Sequence, residues 1–162
     1  MGEVERFARH GGLVLGICNG FQVLCEAGLL AGALLPNTSL RFVCRQVELE
    51  VVNASIPWTR ALERGDRLSI PAKHTTGRYW APDPVLDELE ANDQIVLRYA
   101  PGENFNGSAR DIAGVCNAPG SSPASVRTWK PLQMPMTGPP DAANSATACI
   151  TGEKRAMAPG RR

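Results

Sequence analysis

Cys18 stands between two glycines in Leu13-Val14-Leu15-Gly16-Ile17-Cys18-Asn19-Gly20-Phe21-Gln22. A cysteine thiolate attacks carbonyl carbons readily and can carry an acyl group as a thioester. An apolar run, a Gly-X-Cys-X-Gly turn and a helix-like pattern in succession are how α/β folds lift a nucleophile onto a sharp turn. Glycine at Gly16 and Gly20 fits the places where such a turn crowds its own backbone. N–H groups of the first helical turn would then point back at the sulfur. They and the helix dipole favour thiolate, and they can hold an oxyanion as a carbonyl is attacked. The plain alternative is a small buried hydrophobe, the usual state of a cysteine after an apolar strand.

The elements that must position Cys18 are legible on both sides. Val4, Phe7 and Ala8 recur at helical spacing before a His10-Gly11-Gly12 stop, which predicts a helix over 1–10. His10 would end that helix on the surface, at the far end of the 13–15 strand from Cys18. Phe21 to Leu30 reads as the helix behind the turn, with Gln22 in its first turn, and 28–36 as a breaker-rich connection. Alternation over 42–52 predicts a half-buried strand, and 68–70 a shorter one stopped by Pro71. Lys73 to Trp80 reads as a loop carrying His74. Pro84 starts a helix over 85–91 with Asp83 as a plausible cap. Strands follow over 94–99 and 112–116, separated by a Gly/Asn-rich loop.

The 162 residues carry a net charge of +1, so bulk electrostatics points neither to nucleic acid nor to a membrane surface. The balance is uneven. Residues 1–118 hold 11 Lys/Arg against 14 Asp/Glu, and residues 119–162 hold 6 against 2. Five cysteines with no CxxC pair, and no secretory or membrane-length apolar run, predict reduced thiols in the cytoplasm. Cys25, Cys44, Cys116 and Cys149 lack metal-ligand spacing, so no metal is expected. Residues 119–162 contain 11 Gly or Pro, no histidine and no sustained apolar period. A segment of that composition is predicted to be disordered.

Gly16-Ile17-Cys18-Asn19-Gly20-Phe21-Gln22 resembles the Gly-X-Cys-X-Gly-X-Gln signature of class I, triad-type glutamine amidotransferases. Within them, the Cys-Asn-Gly-Phe-Gln version is similar to the glutaminase-subunit branch that serves phosphoribosylformylglycinamidine synthase in purine biosynthesis. Further segments match in order: Leu40-Arg41-Phe42-Val43-Cys44, Ile70-Pro71-Ala72-Lys73-His74 with Gly77-Arg78-Tyr79, Asn106-Gly107-Ser108, and Asp111 to Asn117. The resemblance covers about residues 4–120. It implies a partial flavodoxin-like α/β domain over 1–118, three-layered with a mixed sheet, followed by a tail unlike the family over 119–162.

It further implies that Cys18 attacks the side-chain amide of glutamine, that the Asn19 N–H stabilises the oxyanion, and that Gly16, Asn19 and Gln22 bind the substrate. His74 lies in a His-X-X-Gly loop on the active-site side. It is a secondary candidate, because the acidic residue often preceding that glycine is here Thr76. The chain itself is expected to need no cofactor. ATP and Mg belong to a partner synthetase subunit that uses the released ammonia on formylglycinamide ribonucleotide, and a small third subunit can join the complex. Two family features are not recognisable in these residues. One is a His-Pro-Glu motif bearing the general base, since the only histidines are His10 and His74. The other is the glycine loop that supplies a second oxyanion N–H ahead of the elbow. The sequence therefore predicts a chain that lacks activity of its own. A non-catalytic remnant or binding partner of the synthetase, and another cysteine-elbow α/β hydrolase, stay open as alternatives.

Overall fold

The computed structural model describes residues 2–117 and 127–129. Helix α1 (Gly2–Arg9) begins with Glu3 and Glu5 in its first turn, where carboxylates complement the helix dipole. It buries Ala8 and stops at Gly11, whose φ of 95° suits glycine. His10 is exposed there, as expected, and its Nδ1–H donates to the Arg6 carbonyl at 2.6 Å.

The buried strand expected over 13–15 is not formed. Only Val14 makes a bridge, and Leu13 remains exposed. An apolar run supplies strand-like side chains, but a strand exists only with a ladder of backbone partners. Helix α2 (Asn19–Glu26) follows, buries Phe21 and Leu24, and is shorter than the 21–30 pattern implied. Gly28, with φ of 67°, turns the chain out of it.

The expected connection over 28–36 contains a short strand, β1 (Ala33–Pro36). Strand β2 (Val43–Val51) follows the predicted alternation. It pairs along its length with β3 (Arg67–His74), which runs through Pro71 rather than ending there. Proline is tolerated because β3 is an edge strand. The expected loop over 73–80 is β4 (Thr76–Trp80), joined to β3 by Thr75 alone and paired with β1.

Helix α3 (Asp83–Ala91) starts from Pro82, and no side-chain cap is made, by Asp83 or otherwise. It buries Leu86 and Leu89. Strand β5 (Ile95–Tyr99) crosses the sheet, and a 3₁₀ turn (Ala109–Asp111) leads into β6 (Ile112–Cys116). Strand β7 (Arg127–Trp129) pairs with β6. Those three residues of the expected disordered tail are thus ordered in a sheet, and the rest of 119–162 lies outside the described residues.

The architecture is α/β with two open sheets, β1-β4 and β3-β2-β5-β6-β7. Among the described residues the strand pairings are all antiparallel, which departs from the expected mixed sheet. One apolar cluster gathers Ala8 of α1, Phe21 and Leu24 of α2, Leu86 and Leu89 of α3, with Tyr79, Ile95, Ile112 and Val115. The second gathers Val47, Leu49 and Val51 of β2 with Ile70, Val96, Tyr99 and Ala113. Ile56 and Trp58, in the connection after β2, join this second cluster, and none of the described helices does. Adjacent residues Ile112 and Ala113 fall in different clusters, as neighbouring positions on a strand face opposite ways.

Candidate active site

Cys18 is half-buried and occupies the cap position of α2 with φ 53° and ψ −113°. Positive φ at a residue bearing a Cβ is strained by about 1–3 kcal/mol and persists only where surrounding structure imposes it. Gly16 shows what imposes it. A Cβ at Gly16 would lie 2.5 Å from Leu24 Cδ1 and 2.8 Å from both C and O of Gly20. The turn can close only because that position has no side chain. Gly20 differs from expectation: a Cβ there would meet nothing within 4 Å, so the crowding is confined to Gly16.

The backbone donors around Cys18 are already partly assigned. Gly20 N–H donates to the Ile17 carbonyl at 2.9 Å, and the N–H groups of Phe21 and Gln22 donate to the Cys18 carbonyl at 3.0 and 3.2 Å. The expected ring of several free helix-start donors is therefore reduced. Among the described residues, Asn19 N–H is the donor of this first turn with no carbonyl partner. One N–H next to a nucleophile is half of an oxyanion site.

Gln22 is half-buried one helical turn beyond Cys18, and its Nε2–H donates to Glu26 Oε1 at 2.8 Å. On the same helix, burial and the nearby Glu26 carboxylate push the Cys25 thiol up to about 11. Burial and the neighbouring Cys25 likewise raise the Tyr79 phenol. Cys25 is thus held as a protonated thiol near neutral pH, a packing residue rather than a nucleophile.

Gly16, Cys18, Asn19 and Gln22 are brought together on one turn. His74 belongs to another constellation, at the junction of β3 and β4. Its Nδ1–H donates to Asn37 Oδ1 at 3.1 Å, and its ring packs on Phe105 at 5.1 Å between centroids. The same ring covers Gly77, where a Cβ would come within 2.1 Å. Asn37, at 0% exposure, donates to the carbonyls of His74 and Arg41 at 2.9 and 3.1 Å. His74 is half-buried at this junction.

Beside it lies a network whose architecture the sequence did not disclose. Asn106, also at 0% exposure, donates to the Gly77 carbonyl at 2.8 Å and meets the Tyr99 hydroxyl at 3.0 Å. Its Oδ1 accepts from Ser108 N–H and Oγ–H at 3.0 and 2.8 Å, and Ser108 Oγ in turn accepts from Tyr79 N–H at 3.0 Å. Thr38 N–H donates to the Asn106 carbonyl at 3.1 Å. Asn106-Gly107-Ser108 is visible as a motif, but its three-way role between β4, β5 and the 37–42 loop needs the fold. Among the described residues, no group of three or more His, Cys, Asp or Glu is placed to hold a metal ion. No helix among them is long and apolar enough to cross a membrane.

A strained cysteine at the cap of a helix, closed by an obligatory glycine within an α/β fold, has the geometry of a nucleophile elbow with cysteine as the nucleophile. Residues 1–135 match the family model of CobB/CobQ-like glutamine amidotransferase domains, and the chain belongs to that family. It is similar to a Rubrobacter xylanophilus protein named phosphoribosylformylglycinamidine synthase subunit PurQ, with 54% identity over 136 residues. That match covers 82% of this chain and 61% of the relative. The subunit of the same name from Mycobacterium tuberculosis (strain H37Rv) is 55% identical over 120 residues, covering 74% and 53% of the two chains. Among solved structures, a chain of PurLQS from Thermotoga maritima superposes with a TM-score of 0.68 at 40% identity, covering 81% of this chain and 55% of that one. The chain therefore spans between half and two thirds of the length of these relatives.

Proposed function

We propose that this chain carries the glutamine-binding elbow of a phosphoribosylformylglycinamidine synthase glutaminase subunit. The observation that carries the reading is the Gly16–Gln22 turn: the strained Cys18 cap, the glycine it requires and the unengaged Asn19 N–H. The identity to relatives bearing that subunit name supports it.

In the proposed reaction, Cys18 Sγ as thiolate attacks the side-chain carboxamide carbon of glutamine. The carbonyl π pair moves onto oxygen, where Asn19 N–H stabilises it. Collapse breaks the C–N bond, the nitrogen takes a proton and leaves as ammonia, and a γ-glutamyl thioester remains on Cys18. Water then cleaves the thioester to glutamate and restores the thiol. Gln22 contributes a polar contact to the bound amino acid, and Gly16 keeps the turn closed. The ammonia passes to a synthetase subunit that holds ATP and Mg and amidates formylglycinamide ribonucleotide.

A second reading is favoured by the fate of the histidines. His10 and His74 are the only ones in the sequence, and each is held by groups of its own surroundings. With both histidines engaged by these groups, the chain is read here as a non-catalytic binding partner of the synthetase. The two readings separate on one experiment. Glutamate release from glutamine is measured for the chain alone and with a synthetase subunit, against Cys18→Ala, together with co-elution of the two proteins. Release above the Cys18→Ala level supports the glutaminase reading. Co-elution with no release supports the binding-partner reading. Neither release nor co-elution overturns both.

A further inference from the structure

The Gln22 carboxamide has two ends of opposite chemistry, and only one of them can face a carboxylate. Its Nε2 donates to Glu26 Oε1 at 2.8 Å across one helical turn. An ionised carboxylate only accepts, so the flipped amide would set oxygen against oxygen. Glu26 thus fixes which end of Gln22 is spent along the helix. The Gln22 Oε1 is left as the free end, on a half-buried side chain one turn from Cys18.

We infer that Glu26 is a positioning residue: it locks the Gln22 carboxamide so that Oε1, an acceptor, meets an N–H donor of the substrate. This rests on the proposed glutamine site. It adds that the site selects a ligand presenting an ammonium or amide N–H toward α2 and disfavours one presenting a carboxylate there. Exposed pairs at this helical spacing contribute about 0.2–0.5 kcal/mol, so the bias is modest.

The test uses the full chain and the chloromethyl ketone analogue of L-glutamine. In the labelling step the Cys18 thiolate displaces chloride and forms a C–S bond. Iodoacetamide, which has no amino-acid moiety, is the control. Saturating labelling yields a half-saturation concentration and a limiting rate. Glu26→Ala is expected to raise the half-saturation concentration about 1.4- to 2.3-fold, which is that contribution converted at about 1.4 kcal/mol per tenfold, leaving the limiting rate and the iodoacetamide rate unchanged. Glu26→Gln, which keeps an acceptor but permits the flipped amide, should fall between. A role confined to helix stability would instead lower the melting temperature without moving the half-saturation value. Saturable labelling of the unmodified chain, with Glu26→Ala and Glu26→Gln both at its value, overturns the inference alone. Failure of the unmodified chain to saturate overturns the glutamine site and the inference with it.

Discussion

Replacing Gly16 by alanine tests the elbow most directly. The added methyl would sit 2.5 Å from Leu24 Cδ1 and 2.8 Å from two backbone atoms of Gly20, where ordinary contact needs at least 3.4 Å. Leu24 is buried in the first cluster, so its methyl cannot swing into open space. Gly20 cannot retreat without lengthening the 2.9 Å bond its N–H makes to Ile17. Forced overpacking of this kind costs about 1–3 kcal/mol, and the backbone clash places Gly16→Ala in the upper half of that range. With a urea m-value of about 1.5–2 kcal/mol/M, the unfolding midpoint should fall by about 1 M or more. Gly20→Ala is the internal control. Its methyl meets nothing, its φ is not in the left-handed region, and it lies within α2. It should be neutral or stabilising by up to about 1 kcal/mol. Equal midpoints for the two variants would refute the claim that crowding at Gly16 shapes the turn.

Three further outcomes follow from the same geometry. Cys18→Gly should be more stable than Cys18→Ala by about 1 kcal/mol in urea unfolding, since glycine relieves the positive φ while both variants lack the thiol. Asn106→Ala should cost about 2–4 kcal/mol, because it leaves the Gly77 carbonyl and the Ser108 hydroxyl without their buried partner; a loss under 0.5 kcal/mol would sink this account. Stability should decline on the alkaline side. Burial raises the Tyr99 phenol from its ordinary 10.0 to about 12 and, with the Glu26 charge, the Cys25 thiol from 9.0 to about 11. The unfolded chain gives up these protons first, so stability is intact below pH 9 and falls as pH rises through the 9–12 window. Urea midpoints at pH 8, 10 and 11 check the sign.

Much of the fold was readable where periodicity was clean. Helix α1, strand β2 and strands β5 and β6 lie where spacing placed them, and Gly16 and Cys18 announced the elbow through residue type alone. The failures have physical causes. Strand β4 buries Gly77 and Tyr79 and turns Thr76 and Trp80 outward, a true alternation. One of its two inward positions is a glycine, demanded by the His74 ring, so the apolar signal is halved and the segment reads as a loop. Pro71 looked like a strand end because a missing N–H forbids a central ladder, but the edge place of β3 is decided by topology. The 13–15 run carried the composition of a strand without the partners that would make it one. His74 drew attention as a chemical group. Asn37, which fixes it, did not, since a buried asparagine in a turn looks like any other turn residue until the fold closes over it.

The seam built by Asn37 and Asn106 bears on how the molecule opens. Two strands alone, such as β1 and β4, form a ribbon that is marginal in water. Here Thr75, Gly77 and Tyr79 along that ribbon are bonded, through Asn37, Asn106 and Ser108, to segments that pack with the large sheet. The ribbon therefore cannot peel away as a separate foldon. Its amide protons should exchange with solvent at the rate set by opening of the whole domain, so two asparagines convert two sheets into one cooperative unit.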